Sequence, residues 1–441
     1  MMGFVDTLLR LRQGAAALSG AHSWDAKQAE AFHRLQLPLL VRHAYERVPF
    51  YRALWKAAGI KPDDIGTIED FRRLPIVSKA QLQDAGAGII SNNRSSSQLR
   101  LHRTGGSSGQ PIEIRRTAFE DRLLQAIRVR RLMSMHDLRL TDRRTSIRIA
   151  RKKWDPGFYA RLGILRQQIV DCRLPADELA DRIIRSNPDM LHGYPCSLAD
   201  TAERIGGQLP RLRFAVSGGD RLTAPLRERI EAGLGRPLHD IYGAHECNLL
   251  ALSCRLQTHH VAEESVFLEV LRDDGRPAAE GDQGEAVITA LHSFSMPIIR
   301  YRLGDFLAPG GPCECGASGR TLKQIVGRTA DLFERPDGST YHPLAIVLPL
   351  QSIGAGLIRT FRVTQHSAQR MTILIEPCAA FPEDRIEGIN RSTREAVGHP
   401  IDLEIRLAQN LATEPNGKFR SFCRESTARE LRHLQAAGKI G

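Results

Sequence analysis

A glycine- and hydroxyl-rich segment, residues 104 to 111, is the stretch of this sequence best suited to hold a phosphate group. Its candidate phosphate-binding residues are Thr104, Gly105, Gly106, Ser107, Ser108 and Gly109. Glycine lets a backbone approach a polyphosphate closely, and hydroxyls add hydrogen-bond donors without bulk. The spacing matches neither the P-loop pattern G-x-x-x-x-G-K-[ST] nor the G-x-G-x-x-G turn of dinucleotide-binding folds. A phosphate-binding loop and a flexible surface linker are both compatible with this segment alone.

Four short segments further along the chain carry the other groups that a nucleotide-activating site needs. Aromatic rings stack on bases, carboxylates hold metal ions or ribose hydroxyls, and cations stabilise phosphate charge. Taken singly, Asp305 is also compatible with the end of a strand turn, and Lys418 with a solvated loop lysine. The segments are Tyr242-Gly243-Ala244-His245-Glu246, Tyr301-Arg302-Leu303-Gly304-Asp305, Gly327-Arg328 and Pro415-Asn416-Gly417-Lys418.

Cysteine and histidine residues form a second group with its own chemistry. Cys254 precedes His259 and His260 by five and six residues, and Cys313 and Cys315 lie in a loop rich in proline and glycine. Thiolates and imidazoles are zinc ligands, and four of them close a structural site. Reduced, buried cysteines are the alternative reading, because disulfides are rare in a reducing compartment.

Strand and helix patterns in the first half of the chain indicate an α/β fold. Residues 27 to 60 and 121 to 135 have helical periodicity, and from about residue 165 strand, turn and helix repeat in that order. This repetition predicts parallel strands with helices on the faces of the sheet. The expected elements are a strand at 190 and 191, the turn His192-Gly193-Tyr194-Pro195, a helix capped by Ser197, a strand over 212 to 216, a turn at Gly218-Gly219 and a helix over 225 to 234.

Beyond Glu246 the pattern changes to short alternating strands separated by turn residues. Strands at 266 to 271 and 284 to 289 predict antiparallel, barrel-like material over about residues 247 to 328. The last part of the chain predicts a separate small α+β domain. Its expected elements are a hairpin over 361 to 376, a helix over 383 to 397 and a strand over 401 to 407.

Length and composition indicate a soluble globular protein with more than one domain. The chain has 441 residues, of which 42% are hydrophobic and 25% charged, and this length suits a large domain plus a small one. No run of 18 apolar residues occurs, so a membrane span is not expected. The first residues include an early aspartate and no long apolar core, which is unlike a secretory signal. We therefore expect a cytoplasmic protein.

The chain carries a net charge of +12, so polyanions are its natural partners. ATP, coenzyme A, an acidic carrier protein and nucleic acid are all candidates on charge alone. Aromatic residues make up only 6% and no nucleic-acid-binding motif is present, so nucleic acid is not expected as a partner. A solvated arginine-rich helical face is the alternative reading. The basic residues concentrated in one region are Arg128, Arg130, Arg131, Arg139, Arg143, Arg144, Arg148, Arg151, Lys152 and Lys153.

The order and spacing of these segments resemble the adenylate-forming superfamily of acyl-CoA synthetases. Within it they resemble the phenylacetate-CoA ligase-like, capsular-polysaccharide-type branch, over nearly the whole chain. Each match is short, and the ordered set is specific. Further matches are the segments at 44 to 51, 74 to 79, 192 to 195, 217 to 219 and 296 to 301.

The resemblance implies a role for each candidate residue in activating a carboxylic acid with ATP. Residues 104 to 109 would hold the β- and γ-phosphates, Glu246 would bind Mg²⁺, and His245 would lie beside the acyl phosphate. Lys418 would place a cation at the forming ester oxygen as a catalytic residue. Tyr242 would stack near the adenine, Asp305 would accept hydrogen bonds from the ribose, and Arg328 would donate to ribose or phosphate. The turns at 192 to 195 and 217 to 220 would build the acyl pocket. The other implied cofactor-binding residues are Ser217, Gly218, Gly219 and Gly243.

The resemblance also implies the domain division and the metal ligands. It places a boundary near residue 329, between an AMP-binding adenylation domain and a small mobile lid domain over 330 to 441. It further implies a structural zinc ion in the barrel-like part, with Cys254, Cys313 and Cys315 as ligands. By the same match His260 is a better ligand than His259.

Departures from the family pattern make the second half-reaction less secure than adenylation. Ile112 and Glu113 follow the glycine loop where a lysine is usual, Ala330 stands at the hinge position, and the turn that lines the pantetheine tunnel is not evident in residues 333 to 339. Coenzyme A is the expected acceptor, with an amine, a hydroxyl or a carrier-protein thiol as alternatives. A catalytically inactive ATP-binding scaffold is a further alternative. The sequence leaves the acid and the oligomeric state open, and a homodimer is compatible with it.

Overall fold

A computed structural model describes most of the chain. The described residues are 14–19, 24–103, 112–149, 158–317, 319–328, 333–338, 340–341, 346, 350, 357–377, 380–409, 411 and 421–424. None of the helices in these ranges is long and apolar enough to cross a membrane. The helices are α1 (Ala26–Arg47), α2 (Pro49–Ala57), α3 (Ile68–Arg72), α4 (Lys79–Ala85), α5 (Ala118–His136), α6 (Phe158–Arg161), α7 (Ala176–Ser186), α8 (Pro195–Ile205), α9 (Ala224–Leu234) and α10 (Glu383–Val397).

The strands alternate with helices through the first half of the chain and follow one another closely in the second half. They are β1 (Arg100–Arg103), β2 (Glu113–Arg116), β3 (Arg144–Arg148), β4 (Gln167–Asp171), β5 (Met190–Gly193), β6 (Phe214–Gly218), β7 (Leu238–Tyr242), β8 (Ala251–Ser253), β9 (His259–Val261), β10 (Val266–Leu271), β11 (Gly284–Ala290), β12 (Tyr301–Gly310), β13 (Thr321–Arg328), β14 (Phe333–Glu334), β15 (Thr340–Tyr341), β16 (Ile358–Ser367), β17 (Arg370–Pro377), β18 (Asp402–Leu407) and β19 (Phe422–Arg424).

The described residues fall into two compact units. The first lies within Met1–Gly106, Pro111–Arg139 and Ile241–Ile325, and the second within Leu140–Asp240 and Val326–Gly441. The units are interleaved along the sequence. The division into an adenylation domain up to residue 329 and a lid domain from residue 330 stays a prediction.

Antiparallel strands of the first unit pack against the N-terminal helices. β10, β11, β12, β13, β9 and β8 are neighbours in that order. The pairs β10–β11, β11–β12, β13–β9 and β9–β8 are antiparallel, as the alternating pattern predicts. In the part of the chain that the structure describes, the first and last of these strands do not pair with each other. Closure into a barrel stays a prediction. Fully buried Tyr51, Trp55 and Phe71 from α2 and α3 fill the core beside β10 and β12.

Helix α5 begins with a capping box that also fixes the helix to the first unit. The Thr117 hydroxyl accepts from the Glu120 amide at 3.2 Å, and the Glu120 carboxylate accepts from the Thr117 amide at 2.7 Å. This exchange satisfies amides that the first helical turn leaves unpaired. The same carboxylate accepts from the amides of Phe294 and Ser295, both at 2.8 Å. One buried acid therefore sets both the start of α5 and its docking site.

Parallel strands form the sheet of the second unit, as the repeated strand, turn and helix pattern predicts. The strand order is β4, β3, β5, β6 and β7, and β3 pairs with β4 and β5, and β5 with β6, in parallel. Helices α7, α8 and α9 bury Ile183, Leu198 and Ile230 in its core. The expected Ser197 cap of α8 is wrong: the helix begins at Pro195 with Tyr194 as N-cap. Proline is favoured at the first helical position, where its missing amide proton is not needed.

The C-terminal part of the second unit has the small α+β arrangement that the sequence predicts. β16 and β17 form an antiparallel hairpin, β18 pairs with β17 in parallel, and β19 pairs with β16 in parallel. α10 buries Ile389 and Val397 in a core that also contains Phe361 and Ile373. The expected hairpin, helix and strand are thus confirmed in order and to within a few residues.

Buried His292 makes the stability of the first unit depend on pH. Its Nε2 atom donates to the Glu264 carbonyl at 2.7 Å, and burial lowers the pKa of the imidazole to about 4. Because the unfolded chain takes up this proton near pH 6.5, stability should fall as the pH drops from about 6.5 towards 4, by up to roughly 3 kcal/mol from this group. Urea unfolding at several pH values measures the loss.

The His292→Gln variant is the matched control, because glutamine keeps a donor for the carbonyl and does not titrate. Its unfolding free energy should depend less on pH over this interval than that of the wild type. The exposed His366→Gln variant should keep the wild-type dependence. Identical pH profiles for wild type and His292→Gln would contradict the assignment.

Candidate active site and metal centre

The loop after β7 carries His245 and Glu246 and is held in a tight turn. The Leu250 amide donates to the Tyr242 carbonyl at 2.9 Å, which closes the turn as β8 begins. A Cβ atom at Gly243 would lie 2.3 Å from the Asn248 carbonyl oxygen, so only glycine allows this approach. Gly243 therefore has a packing role in placing His245 and Glu246.

Tyr242 and Asp305, predicted to face adenine and ribose, lie together in the first unit. The Tyr242 hydroxyl donates to Asp305 Oδ2 at 2.6 Å. The pairing of β11 with β12 shifts between Glu285 and Val287, and Gly304 has φ +78° at this irregularity. A β-bulge of this kind changes the direction in which the neighbouring side chain points. The bulge therefore places Asp305 against a tyrosine that is distant in sequence.

Glu246 is a buried carboxylate, only 7% exposed, with a buried arginine as its neighbour. Arg116 donates to the carbonyl of His245, whose own side chain is exposed. Burial lowers the pKa of the Arg116 guanidinium, while Asp121, Cys247, Glu120 and Glu246 oppose the decrease. Arg116 therefore both holds the loop backbone and balances the charge of Glu246.

The carboxylates of Glu246 and Asp305 both lie near the buried thiol of Cys247. Burial raises the pKa of its thiol well above the usual value, and Glu246 and, to a smaller extent, Asp305 raise it further. Both carboxylates are thus close enough to act on the same buried thiol. Sequence reasoning identified Glu246 and Asp305 but not Arg116, which ends β2 directly after the glycine-rich segment.

Ser217, Gly218 and Gly219 lie at the carboxyl end of β6 in the second unit. The Ser217 hydroxyl is fully buried and donates to Asp240 Oδ1 at 2.5 Å. Gly219 has φ +82°, a conformation that favours glycine, and is exposed. The predicted binding role of this turn stays a prediction, and the hydroxyl proton of Ser217 is already used within the unit.

Several predicted site residues lie outside the described residues. They are the glycine-rich loop residues Thr104, Gly105, Gly106, Ser107, Ser108 and Gly109, and also Lys418. Arg328 is the last residue of β13, and only its backbone is among the described parts of the structure. The roles assigned to these residues stay predictions.

The four predicted zinc ligands come together in the first unit. One donor atom from each of Cys254, His260, Cys313 and Cys315 lies within 4.8 Å of all the others. Cys254 Sγ is 3.8 Å from Cys313 Sγ, and Cys315 Sγ is 3.3 Å from His260 Nε2. Cys254 lies directly after β8, His260 is in β9, and both other cysteines lie between β12 and β13. The structure thus favours His260 over His259 as the fourth member of the group.

Backbone amides point at two of these sulfur atoms. The Leu256 amide donates to Cys254 Sγ and the Ala317 amide donates to Cys315 Sγ, each at 3.3 Å. In both cases the donor is the second residue after the cysteine. Hydrogen bonds of this kind orient a sulfur atom towards the other members of a metal-binding group. Three sulfur atoms and one imidazole within this distance are the donor set of a closed tetrahedral zinc site.

Helix α5 holds the backbone next to these ligands. Arg131 forms a buried ion pair with Glu264, with N–O distances of 2.7 and 2.8 Å, and donates to the Val261 carbonyl at 2.8 Å. His136 Nε2 donates to the Ser253 carbonyl at 2.8 Å. These contacts fix the residues that adjoin His260 and Cys254. Arg131, which the sequence placed in a basic cluster, is therefore a buried structural residue.

A cavity of about 180 Å³ is present elsewhere in the first unit. Arg72, Leu268, Pro277 and Arg320 are among its lining residues, and none of the predicted site residues lines it. Its volume is below the range of about 300 to 1,000 Å³ usual for pockets that bind drug-sized ligands. It is therefore separate from the candidate active site.

Comparison with known proteins identifies the family. No protein-family model matches the chain. The chain is 30% identical over 329 residues to phenylacetate-coenzyme A ligase from Escherichia coli (strain K12), and the match covers 70% of this chain and 73% of that enzyme. It belongs to the phenylacetate-coenzyme A ligase family. The family member from Thermus thermophilus is 28% identical over 327 residues, covering 70% of this chain and 72% of that enzyme.

Solved structures of adenylate-forming CoA ligases share the fold. A 2-hydroxyisobutyryl-CoA ligase in the postadenylation state matches with a TM-score of 0.76 and 19% identity, over 95% of this chain and 94% of that chain. The anthranilate CoA ligase AuaEII matches with a TM-score of 0.55 and 16% identity, over 79% and 70% of the two chains. These matches confirm the predicted α/β fold class, and the Escherichia coli relative confirms the predicted family.

Proposed function

We propose that the protein is an AMP-forming ligase that activates a carboxylic acid with ATP and transfers the acyl group to coenzyme A. Membership of the phenylacetate-coenzyme A ligase family supports this activity. The observation that carries it in the structure is the convergence of Tyr242, Asp305 and Glu246 in one unit, with Arg116 as the compensating cation. An aromatic ring can stack on the base, a carboxylate can bind the ribose hydroxyls, and a carboxylate-bound metal ion or a cation can neutralise the phosphates.

The first step is attack of the substrate carboxylate on the α-phosphorus of ATP, with release of pyrophosphate. Asp305 accepts hydrogen bonds from the ribose, and the Tyr242 hydroxyl orients that carboxylate. A Mg²⁺ ion at Glu246 would neutralise phosphate charge, because hard cations bind carboxylate and phosphate oxygens. Arg116 balances the charge of this carboxylate and holds its loop in place. Lys418 stabilises charge at the forming ester oxygen, and residues 104 to 109 bind the β- and γ-phosphates.

In the second step the thiol of coenzyme A attacks the acyl adenylate and AMP leaves. The small C-terminal domain, from residue 330, acts as a lid that moves between the two steps. An amine, a hydroxyl or an acidic carrier protein is the alternative acceptor. Pyrophosphate is released whichever acceptor is used. Identification of the acylated product therefore shows which acceptor the enzyme uses.

Pyrophosphate release from Mg-ATP with a panel of carboxylic acids tests the proposed activity. At least one acid should stimulate release, and with coenzyme A present the acyl thioester and AMP should appear in equal amounts. Absence of ATP binding by calorimetry in the presence of Mg²⁺ would overturn the adenylation step, whereas ATP binding without pyrophosphate release for any acid would indicate the inactive ATP-binding scaffold. Pyrophosphate release without a thioester would overturn only the choice of acceptor.

We also propose that Cys254, His260, Cys313 and Cys315 bind one structural zinc ion. Such a site stabilises the fold directly, because the unfolded chain does not hold the four ligands together. The purified protein should contain close to one zinc per chain by elemental analysis, and a chelator should lower its melting temperature.

The Cys313→Ser variant should lose the zinc and the response to chelator, since serine is a poor zinc ligand. Cys423→Ser is the matched control, because Cys423 lies in β19, outside the cluster, and this variant should keep both. Purified wild type without zinc, or a Cys313→Ser variant with full zinc content, would refute the site.

A further inference from the structure

The parallel sheet of the second unit has a reversal in strand order between β3 and β5. The chain passes from β3 to β4 on one side and then returns to β5 on the other side of β3. In open α/β sheets such a reversal leaves a crevice outside the carboxyl ends of the two strands, and ligands bind there. Arg148 is the last residue of β3, and Tyr194 directly follows β5.

The residues around this crevice are polar. Cys172 follows β4 and Asp220 lies just beyond β6, so both come from the same edge of the sheet as Arg148 and Tyr194. All four are half-buried. Burial raises the pKa of the Tyr194 phenol, and Cys172 and Asp220 act in the same direction, while Arg148 opposes them. A thiol, a guanidinium and a carboxylate thus all lie near the phenol.

The ring of Tyr194 is packed against the backbone of the neighbouring turn. A Cβ atom at Gly219 would lie 3.0 Å from its Cε1 atom. Among the residues that the structure describes, none forms a hydrogen bond with the Tyr194 hydroxyl. A half-buried phenol in this position is a fixed donor and acceptor at the edge where a ligand is expected.

We propose that the acid activated by this protein carries a hydrogen-bonding substituent, such as a hydroxyl group, on its acyl chain, and that Tyr194 recognises that substituent. This inference rests on the proposed ligase function. An apolar acyl group in the crevice would remove water from the Tyr194 phenol without replacing its hydrogen bonds, which is unfavourable. A site built to bond a hydroxyl group therefore rejects the analogue that lacks it.

Matched pairs of acids test this substrate class through pyrophosphate release. Mandelate and 4-hydroxyphenylacetate are compared with phenylacetate, and 3-hydroxybutyrate with butyrate. The best acid should carry the polar group and exceed its unsubstituted partner in kcat/KM by about tenfold or more, since one hydrogen bond contributes about tenfold. If an unsubstituted hydrocarbon or arylacetic acid is the best substrate, the inference fails and the ligase function stands. If no acid is activated, both fail.

The Tyr194→Phe variant tests the assigned residue. It keeps the ring against Gly219 and removes only the hydroxyl, so the preference for the hydroxylated acid should fall by roughly tenfold, the value of one hydrogen bond. The rate with the unsubstituted partner should stay unchanged, whereas a merely structural defect would lower both rates equally. Tyr45→Phe is the matched control and should keep the wild-type preference. An unchanged preference in Tyr194→Phe would overturn the role of this residue.

Discussion

Replacement of Glu246 by glutamine is expected to reduce acid-dependent pyrophosphate release by about two orders of magnitude or more, the scale of losing one preorganised electrostatic group. Glutamine has nearly the same shape, so the loss would come from charge. A neutral amide is a weaker ligand for Mg²⁺ than a carboxylate. The change also leaves the buried guanidinium of Arg116 without one of its compensating charges. Calorimetry should show weaker binding of Mg-ATP by the variant.

Two further variants separate the metal role of Glu246 from its structural role. Glu246→Asp keeps the charge and should retain more activity than Glu246→Gln, with recovery improving as Mg²⁺ is raised. Glu228→Gln, at an exposed position in α9, should behave as wild type. If Glu246→Gln melts at the wild-type temperature and releases pyrophosphate at the wild-type rate, the metal role is wrong.

The strands of the second half illustrate what the sequence determines locally. Val266–Leu271 forms β10 over the predicted residues, and the hairpin of β16 and β17 extends the predicted one by a few residues. In such segments the apolar residues, the turn residues and the final burial all agree. The family resemblance predicted that Cys254, His260, Cys313 and Cys315 come together, as they do in the structure. Zinc binding by these residues stays a prediction.

Arg116 and Arg131 illustrate what the sequence does not show. Both donate to backbone carbonyl groups, those of His245 and Val261, far away along the chain. A carbonyl acceptor is present at every residue, so no side-chain pattern marks the partner. The sequence therefore shows Arg131 only as one of a group of basic residues, and it gives no signal for Arg116. The contact between Tyr242 and Asp305 depends on a β-bulge, which a strand pattern likewise does not reveal.

Lys418 is expected to give the second large effect, although it lies outside the described residues. Its assignment rests on the segment Pro415-Asn416-Gly417-Lys418 and on the family resemblance. If the ammonium group stabilises the forming ester oxygen, Lys418→Ala should reduce acid-dependent pyrophosphate release by roughly two to three orders of magnitude. Lys56→Ala, at an exposed position in α2, is the matched control and should keep wild-type activity.

The same variant separates the two half-reactions, because a lysine used only in adenylation has no part in the transfer step. Chemically prepared acyl adenylate, supplied with coenzyme A, should be consumed by Lys418→Ala at close to the wild-type rate. Equal losses in both assays would contradict this division, since they would place the lysine in both steps or in the fold. An unaffected first step would mean that Lys418 is a solvated surface residue and that another cation stabilises the adenylation transition state.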